Sequence, residues 1–205
     1  MTEFLDLSHE ITDDMPVYPF DDPVELDRTK SFEEDGYNYF RLETGLHAGT
    51  HIDIPMHMTD DETHMNEVPL NRFTGNGCIL DVRNQSPIEY KDEYSEIVKE
   101  NDIVLLYTGF DEKYGSKEYY ADHPIVDESL AQFFVDKKIK MLGMDIPTPD
   151  KHPFNIHKTL FKNGILIIEN LTNLSELSDV EDFEIIAFPL KIKADSSIAR
   201  VLAKV

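Results

Sequence analysis

Hydrophobic and polar positions follow two rhythms along the chain, and the change falls near residue 78. Before it, Pro and Asp punctuate the sequence (Asp13-Asp14-Met15-Pro16, then residues 19–23). Such stretches predict extended segments and turns around a strand near 38–46. After it, short apolar runs alternate with helical periods. Residues 78–82 and 103–107 read as strands, the second ended by Thr108-Gly109. Asp127 is a good N-cap for a helix from 128 to about 136, with Leu130, Phe133 and Phe134 on one face. A strand at 140–144 and a helix from about 156 to 162 follow, the helix stopped by Asn163-Gly164. Ile165-Leu166-Ile167-Ile168 is apolar on both faces, as buried parallel strands are. Residues 184–190 and 197–203 complete the pattern as strands. The middle is thus βαβαβ between strand-rich ends, which predicts an α/β fold with a mixed sheet. With no repeat, linker or low-complexity stretch, residues 1–205 are expected to form one domain.

Charge narrows the partners. With 41 Asp+Glu against 19 Lys+Arg the formal charge is −22. The arginines are scattered, and the densest basic stretch is Lys137, Lys138 and Lys140. Such a surface repels nucleic-acid phosphates and anionic membranes, so neither is an expected partner. A hydrophobic share of 40% is ample for a core, which sets disorder aside. One cysteine, Cys78, permits no internal disulfide. Met1-Thr2-Glu3-Phe4-Leu5-Asp6 lacks the basic and apolar regions of a signal peptide, and no apolar run approaches the ~18 residues of a membrane span. A cytoplasmic location is expected.

The candidate chemistry is concentrated in residues 47–57, His-Ala-Gly-Thr-His-Ile-Asp-Ile-Pro-Met-His. Gly49, the β-branched Thr50, Ile52 and Ile54, and Pro55 all oppose helix. As extended chain, His47, Gly49, His51, Asp53 and His57 share one face, while Leu46, Ala48, Ile52, Ile54 and Met56 share the other. On a straight strand His47 and His51 would stand about 13 Å apart, at roughly 3.3 Å per residue. That is too far to share one ion, so the chain is expected to bend, and Gly49 is where it can. A single histidine in such a place is usually an ordinary polar residue. Three, with an aspartate, on one parity point to metal, and nitrogen and oxygen donors without thiolate suit zinc or manganese. His157 at a helix start and Glu169 at the end of the apolar run could complete the set, since α/β sheets place ligand-binding groups at the carboxyl ends of strands.

The pattern His47-x-Gly49-Thr50-His51-x-Asp53-x-Pro55-x-His57 resembles the signature of the cyclase-like metal-dependent hydrolase family, which includes bacterial kynurenine formamidases. Supporting stretches are Asp6-Leu7-Ser8-His9, Met15-Pro16-Val17-Tyr18-Pro19, Gly143-Met144-Asp145-x-Pro147, Gly164 through Glu169, and Phe188-Pro189-Leu190-Lys191. The resemblance implies a swivelling β/β/α domain assembled as a homodimer or higher oligomer, with neighbouring subunits helping to shape the pocket. It also implies that His47, His51 and Asp53 hold one metal, that Asp53 bridges to a second held by His157 and Glu169, and that His57 is catalytic. Three departures stand out. Phe20-Asp21 replaces the family's Gly-Asp, Thr148 stands where serine is common, and Asp195-Ser196-Ser197-Ile198 replaces a closing Asp-Gly-Ser-Pro.

The expected activity is hydrolysis of a small amide, with N-formylkynurenine giving kynurenine and formate as the leading substrate. Two divalent ions, zinc or alternatively manganese, would activate water, and His57 would serve as general acid and base. Tyr18 and Phe20 offer an aromatic wall for an aryl substrate. One alternative is ring-opening of a cyclic amide of the isatin type. Another, of a different class, is a non-catalytic metal or small-molecule binding module. His9 is expected to pack in an opening strand or at an oligomer contact, and His64, His123 and His152 to lie exposed, while Cys78 reads as inert.

Overall fold

The computed structural model describes residues 3–205; Met1 and Thr2, part of the expected domain and of the N-terminal stretch above, lie outside the described residues. The elements are β1 (Phe4–Asp6), β2 (Glu25–Lys30), α1 (Phe32–Asp35), β3 (Tyr39–Glu43), β4 (His51–Asp53), β5 (Thr74–Asp81), α2 (Tyr94–Ile97), β6 (Ile103–Tyr107), α3 (Lys117–Ala121), α4 (Glu128–Lys137), β7 (Met141–Met144), α5 (Asn155–Lys162), β8 (Leu166–Glu169), β9 (Phe183–Pro189) and β10 (Ser196–Lys204).

Strands β5, β6, β7 and β8 run parallel, as the two-sided apolarity of the run before Glu169 predicts for β8. The pattern resolves into two packed cores. Ile103, Leu105 and Tyr107 of β6 enter one, enclosed by the sheet, with Leu166, Ile168, Ile185 and Val201. Val104 and Leu106 enter the other, beneath α4 and α5, with Leu130, Phe134, Leu160, Phe161 and Ile167. Full burial of each such side chain is worth about 1.5–3 kcal/mol. β4 is antiparallel to β8 and β9 to β5, while β10 pairs with both β9 and β4, so the mixed sheet closes into a barrel. The α/β class with a mixed sheet is the predicted one.

Differences from the predicted elements have local causes. β5 begins four residues before the expected 78, because Thr74-Gly75-Asn76-Gly77 resembles a turn in sequence. In the barrel these glycines are close-packing positions: a Cβ on Gly77 would overlap the Phe183 ring of β9. The strand expected at 38–46 ends at Glu43 and pairs only with β2, a hairpin outside the barrel. His47 therefore lies in a turn, and the extended segment expected over 46–57 shrinks to β4, followed by a 3₁₀ turn at Pro55–His57. His123, expected exposed, is buried, its Nδ1 facing the Tyr120 carbonyl. His9 stacks on Tyr114 with ring centroids 3.7 Å apart.

Candidate functional site

Residues 47–57 meet by bending as well as by strand parity. Gly49 turns the chain with φ +60°, and a Cβ there would press on Met15, so the bend expected at this residue is present. β4 then turns His51 and Asp53 away from Ile52, which sits in the barrel core. Across the sheet His51 is the register partner of Glu169, and Asp53 is the partner of Ser196. The 3₁₀ turn brings His57 back, so that its ring centroid lies 4.3 Å from that of His47. α5 delivers His157 to the same place, its Nε2 3.3 Å from Glu169 Oε1. His47, His51, Asp53, His57, His157 and Glu169 are thereby gathered at one end of the sheet.

Asp53 is the hub. His47 Nδ1 lies 3.1 Å from its Oδ1 and His51 Nε2 3.6 Å from its Oδ2. Two triplets have donor atoms all within 4.8 Å of one another: His47, Asp53 and His57, and His51, Asp53 and Glu169. Asp53 belongs to both, as a bridging carboxylate would, although the histidines divide differently from the family pattern.

The donor atoms fit a divalent cation. His51 Nε2, Asp53 Oδ1 and Glu169 Oε1 are buried without a hydrogen-bond partner, a costly state for polar atoms unless something else satisfies them. The imidazoles are also oriented from behind. His51 Nδ1 lies 2.8 Å from the Gly49 carbonyl, which can only accept, so Nδ1 donates and the neutral ring, the form that binds a metal, has its lone pair on Nε2. His157 Nδ1 lies 2.5 Å from Asp150 Oδ1, with the same result. The other Asp150 oxygen accepts from Ile156 N–H, so one carboxylate both starts α5 and aims its histidine.

The charges agree with this. Burial opposes ionisation of Asp53, but the His51 charge and the close approach of the His47 and His51 imidazoles hold it well below the usual carboxylate range. Burial likewise opposes ionisation of Glu169, yet the neighbouring His157 and His51 imidazoles hold it down. Burial would lower His157, but the hydrogen bond to Asp150 and the nearby Glu169 carboxylate push it up to about 9. Without an ion the cluster therefore stores positive charge as protons, which a metal would replace.

A cavity of about 170 Å³ opens onto the cluster. Tyr18, Tyr120, Thr148 and Phe154 line it beside His57 and His157. Phe20, paired with Tyr18 as an expected substrate contact, is not brought there. Its backbone is left-handed (φ +83°), and its side chain is fully exposed to solvent. Tyr120 and Phe154 escaped sequence reasoning because their segments carry no periodic signal. Asp150 and Asp195 were missed as supports of His157 and His57, although Asp195 was visible as the first residue of the closing turn.

A closed mixed sheet with a buried histidine–carboxylate cluster beneath a cavity is the layout of an α/β enzyme. The chain belongs to the Cyclase family, whose model, described as "Putative cyclase", matches residues 5–151. A kynurenine formamidase of Bacillus cereus is 31% identical over 99% of this chain and 98% of its own length. Among solved structures, a "predicted metal-dependent hydrolase" from Bacillus stearothermophilus is 27% identical with a TM-score of 0.81, covering 100% of this chain and 98% of its own. Isatin hydrolase A from Labrenzia aggregata shares the fold at a TM-score of 0.87, with 23% identity over 100% of this chain and 94% of its own. The chain is accordingly an enzyme, which removes the alternative of a non-catalytic binding module. Among the described residues no helix is long and apolar enough to cross a membrane.

Proposed function

We propose that this chain is a metal-dependent amide hydrolase of the kynurenine formamidase type, converting N-formylkynurenine and water to kynurenine and formate. The observation that carries the reading is the set of partnerless buried donors, His51 Nε2, Asp53 Oδ1 and Glu169 Oε1, beneath an aromatic-walled cavity. His47, His51, Asp53, His157 and Glu169 would hold up to two divalent ions, with Asp53 shared between them. Zinc suits this nitrogen and oxygen set, and manganese is the alternative. When bound, such ions supply Lewis-acid polarisation of a carbonyl and make hydroxide available near neutral pH.

The chain's own groups do the rest. His57 faces the cavity beside the cluster and accepts a proton from the attacking water, then returns it to the leaving amine. Such positioned transfer contributes typically 10²–10⁴-fold. Tyr18, Tyr120 and Phe154 provide apolar rings against which an aryl amide can pack. Phe20 contributes only if a neighbouring subunit covers it, as in the homodimer or higher oligomer that the family resemblance implies. We place the protein in the cytoplasm, as one domain over 1–205.

The test is elemental analysis of metal-supplemented protein beside absorbance assays with N-formylkynurenine and isatin. Bound transition metal with faster turnover of N-formylkynurenine is expected. Metal with turnover of isatin alone would move the substrate to cyclic amides, and absence of any bound transition metal would overturn the reading.

A further inference from the structure

His57 does not stand alone at the cavity wall. Its Nδ1 lies 2.9 Å from Asp195 Oδ2, the shortest polar contact the imidazole makes. The two residues are 138 positions apart in sequence, so the pairing is a product of the fold. It is also anchored on both sides. The Asp195 carbonyl accepts the Ile54 N–H at 3.2 Å, just before the 3₁₀ turn that carries His57. Ser196, the next residue, is the register partner of Asp53 in the β10–β4 ladder. Neither side chain can drift far while these backbone bonds hold.

The protonation pattern follows from donor and acceptor chemistry. An ionised carboxylate can only accept, so the shared hydrogen belongs to His57 Nδ1. A partly exposed aspartate is ionised at neutral pH, and its Oδ2 stands 2.9 Å from the ring nitrogen. With Nδ1 committed, the neutral ring keeps its lone pair on Nε2.

We propose that Asp195 is the positioning residue of the reaction, fixing the His57 ring and its tautomer so that Nε2 is the atom that takes and returns the proton. This rests on the proton-transfer role proposed for His57. Asp195 also lies 3.6 Å from His47 Nε2, so the rival role is support of a metal ligand rather than of the base.

The test compares Asp195→Asn, Asp195→Ala, His57→Ala and the double variant His57→Ala/Asp195→Ala in the metal-loaded protein. For each, kcat, KM and metal content are measured with whichever of N-formylkynurenine or isatin the enzyme turns over faster. Removing a partner behind a histidine typically costs 10–100-fold. Asp195→Asn and Asp195→Ala are therefore expected to lower kcat by roughly that factor, with KM and metal content unchanged. The double variant should be no slower than His57→Ala, because residues acting as a unit are not additive. NMR of the neutral imidazole nitrogens supplies a readout independent of turnover: Nδ1–H in the parent, a mixture of tautomers in Asp195→Ala. Loss of metal in the Asp195 variants, additive losses in the double variant, or an unchanged kcat would each overturn the inference. Full activity in His57→Ala would instead bring down the reading of His57 on which it rests.

Discussion

His51 and Glu169 are register partners across the antiparallel β4–β8 pair, with Nε2 of the first 3.3 Å from Oε2 of the second. Strand pairing puts the two side chains on the same side of the sheet, and the Gly49 carbonyl behind His51 turns its Nε2 toward Glu169. A slip of one residue would send either side chain into the barrel core. The centre of the site is thus built into the sheet, and its surroundings are added by turns and by α5.

Glu169→Gln keeps this geometry but gives up a charge. The variant is expected to fold and to lose bound metal, with activity falling alongside. Inductively coupled plasma analysis next to circular dichroism decides it: full metal content in a folded variant would remove Glu169 from the ligand set.

Asp150 carries a softer expectation. Asp150→Asn leaves an acceptor for Ile156 N–H while weakening the hold on His157. Metal affinity should fall roughly 10–100-fold, the usual cost of losing the partner behind a ligating histidine. Chelator competition measures it, and an unchanged affinity would mean that α5 alone orients the ring.

Metal removal should be visible as heat sensitivity. An ion that binds the folded chain alone stabilises it by about 4 kcal/mol at a thousandfold excess over its Kd. For a chain of this size that is a Tm shift of roughly 10 °C. Differential scanning fluorimetry with and without chelator reads it directly, and coincident melting curves would contradict the site.

Asp145 is expected to govern a pH dependence of its own, apart from the candidate histidine–carboxylate cluster. Burial raises its carboxyl to about 6, although Thr108 and Gly109 donate hydrogen bonds to it. Its folded pKa lies above the ordinary aspartate value of 3.8 expected in the unfolded chain, so between these values the folded state holds more protons. Its contribution to stability is therefore full below about 3.8 and is lost as pH rises through about 6. Asp145→Asn should remove that slope, so the difference in Tm between variant and parent grows in the variant's favour from pH 4 to about 7. A constant difference would show that Asp145 titrates normally.

Leu160 tests the helix that carries His157. It is fully buried between α5 and the sheet, so Leu160→Ala should cost about 2–5 kcal/mol in chemical denaturation. A loss under 1 kcal/mol would mean that the helix repacks around the gap.

What was legible in the sequence followed from local signals. The strand at 103–107, the helix capped by Asp127 and the two-sided run before Glu169 were readable because periodicity and capping are decided within a few residues. The grouping of His47, His51 and Asp53 was readable from their spacing, and so was the bend at Gly49, because a straight strand would leave His47 and His51 too far apart. The 3₁₀ turn at 55–57 that returns His57 to His47 was not readable. Gly77 hid the start of β5, because the need for a missing side chain appears only when Phe183 arrives from a distant strand. Asp195 went unassigned as a partner for the same reason: nothing near it in sequence announces His57.

The closure of the sheet by β10 has a consequence for when the site comes into being. Every strand from β4 to β8 can be in place while Asp53 still lacks its Ser196 neighbour and His57 still lacks Asp195. Contacts of such long sequence separation are entropically expensive to close and form slowly. A nascent chain emerging from the ribosome therefore carries all its histidines long before it carries a working centre. β10 acts as a latch, and enzymatic competence becomes a report that the sheet has closed.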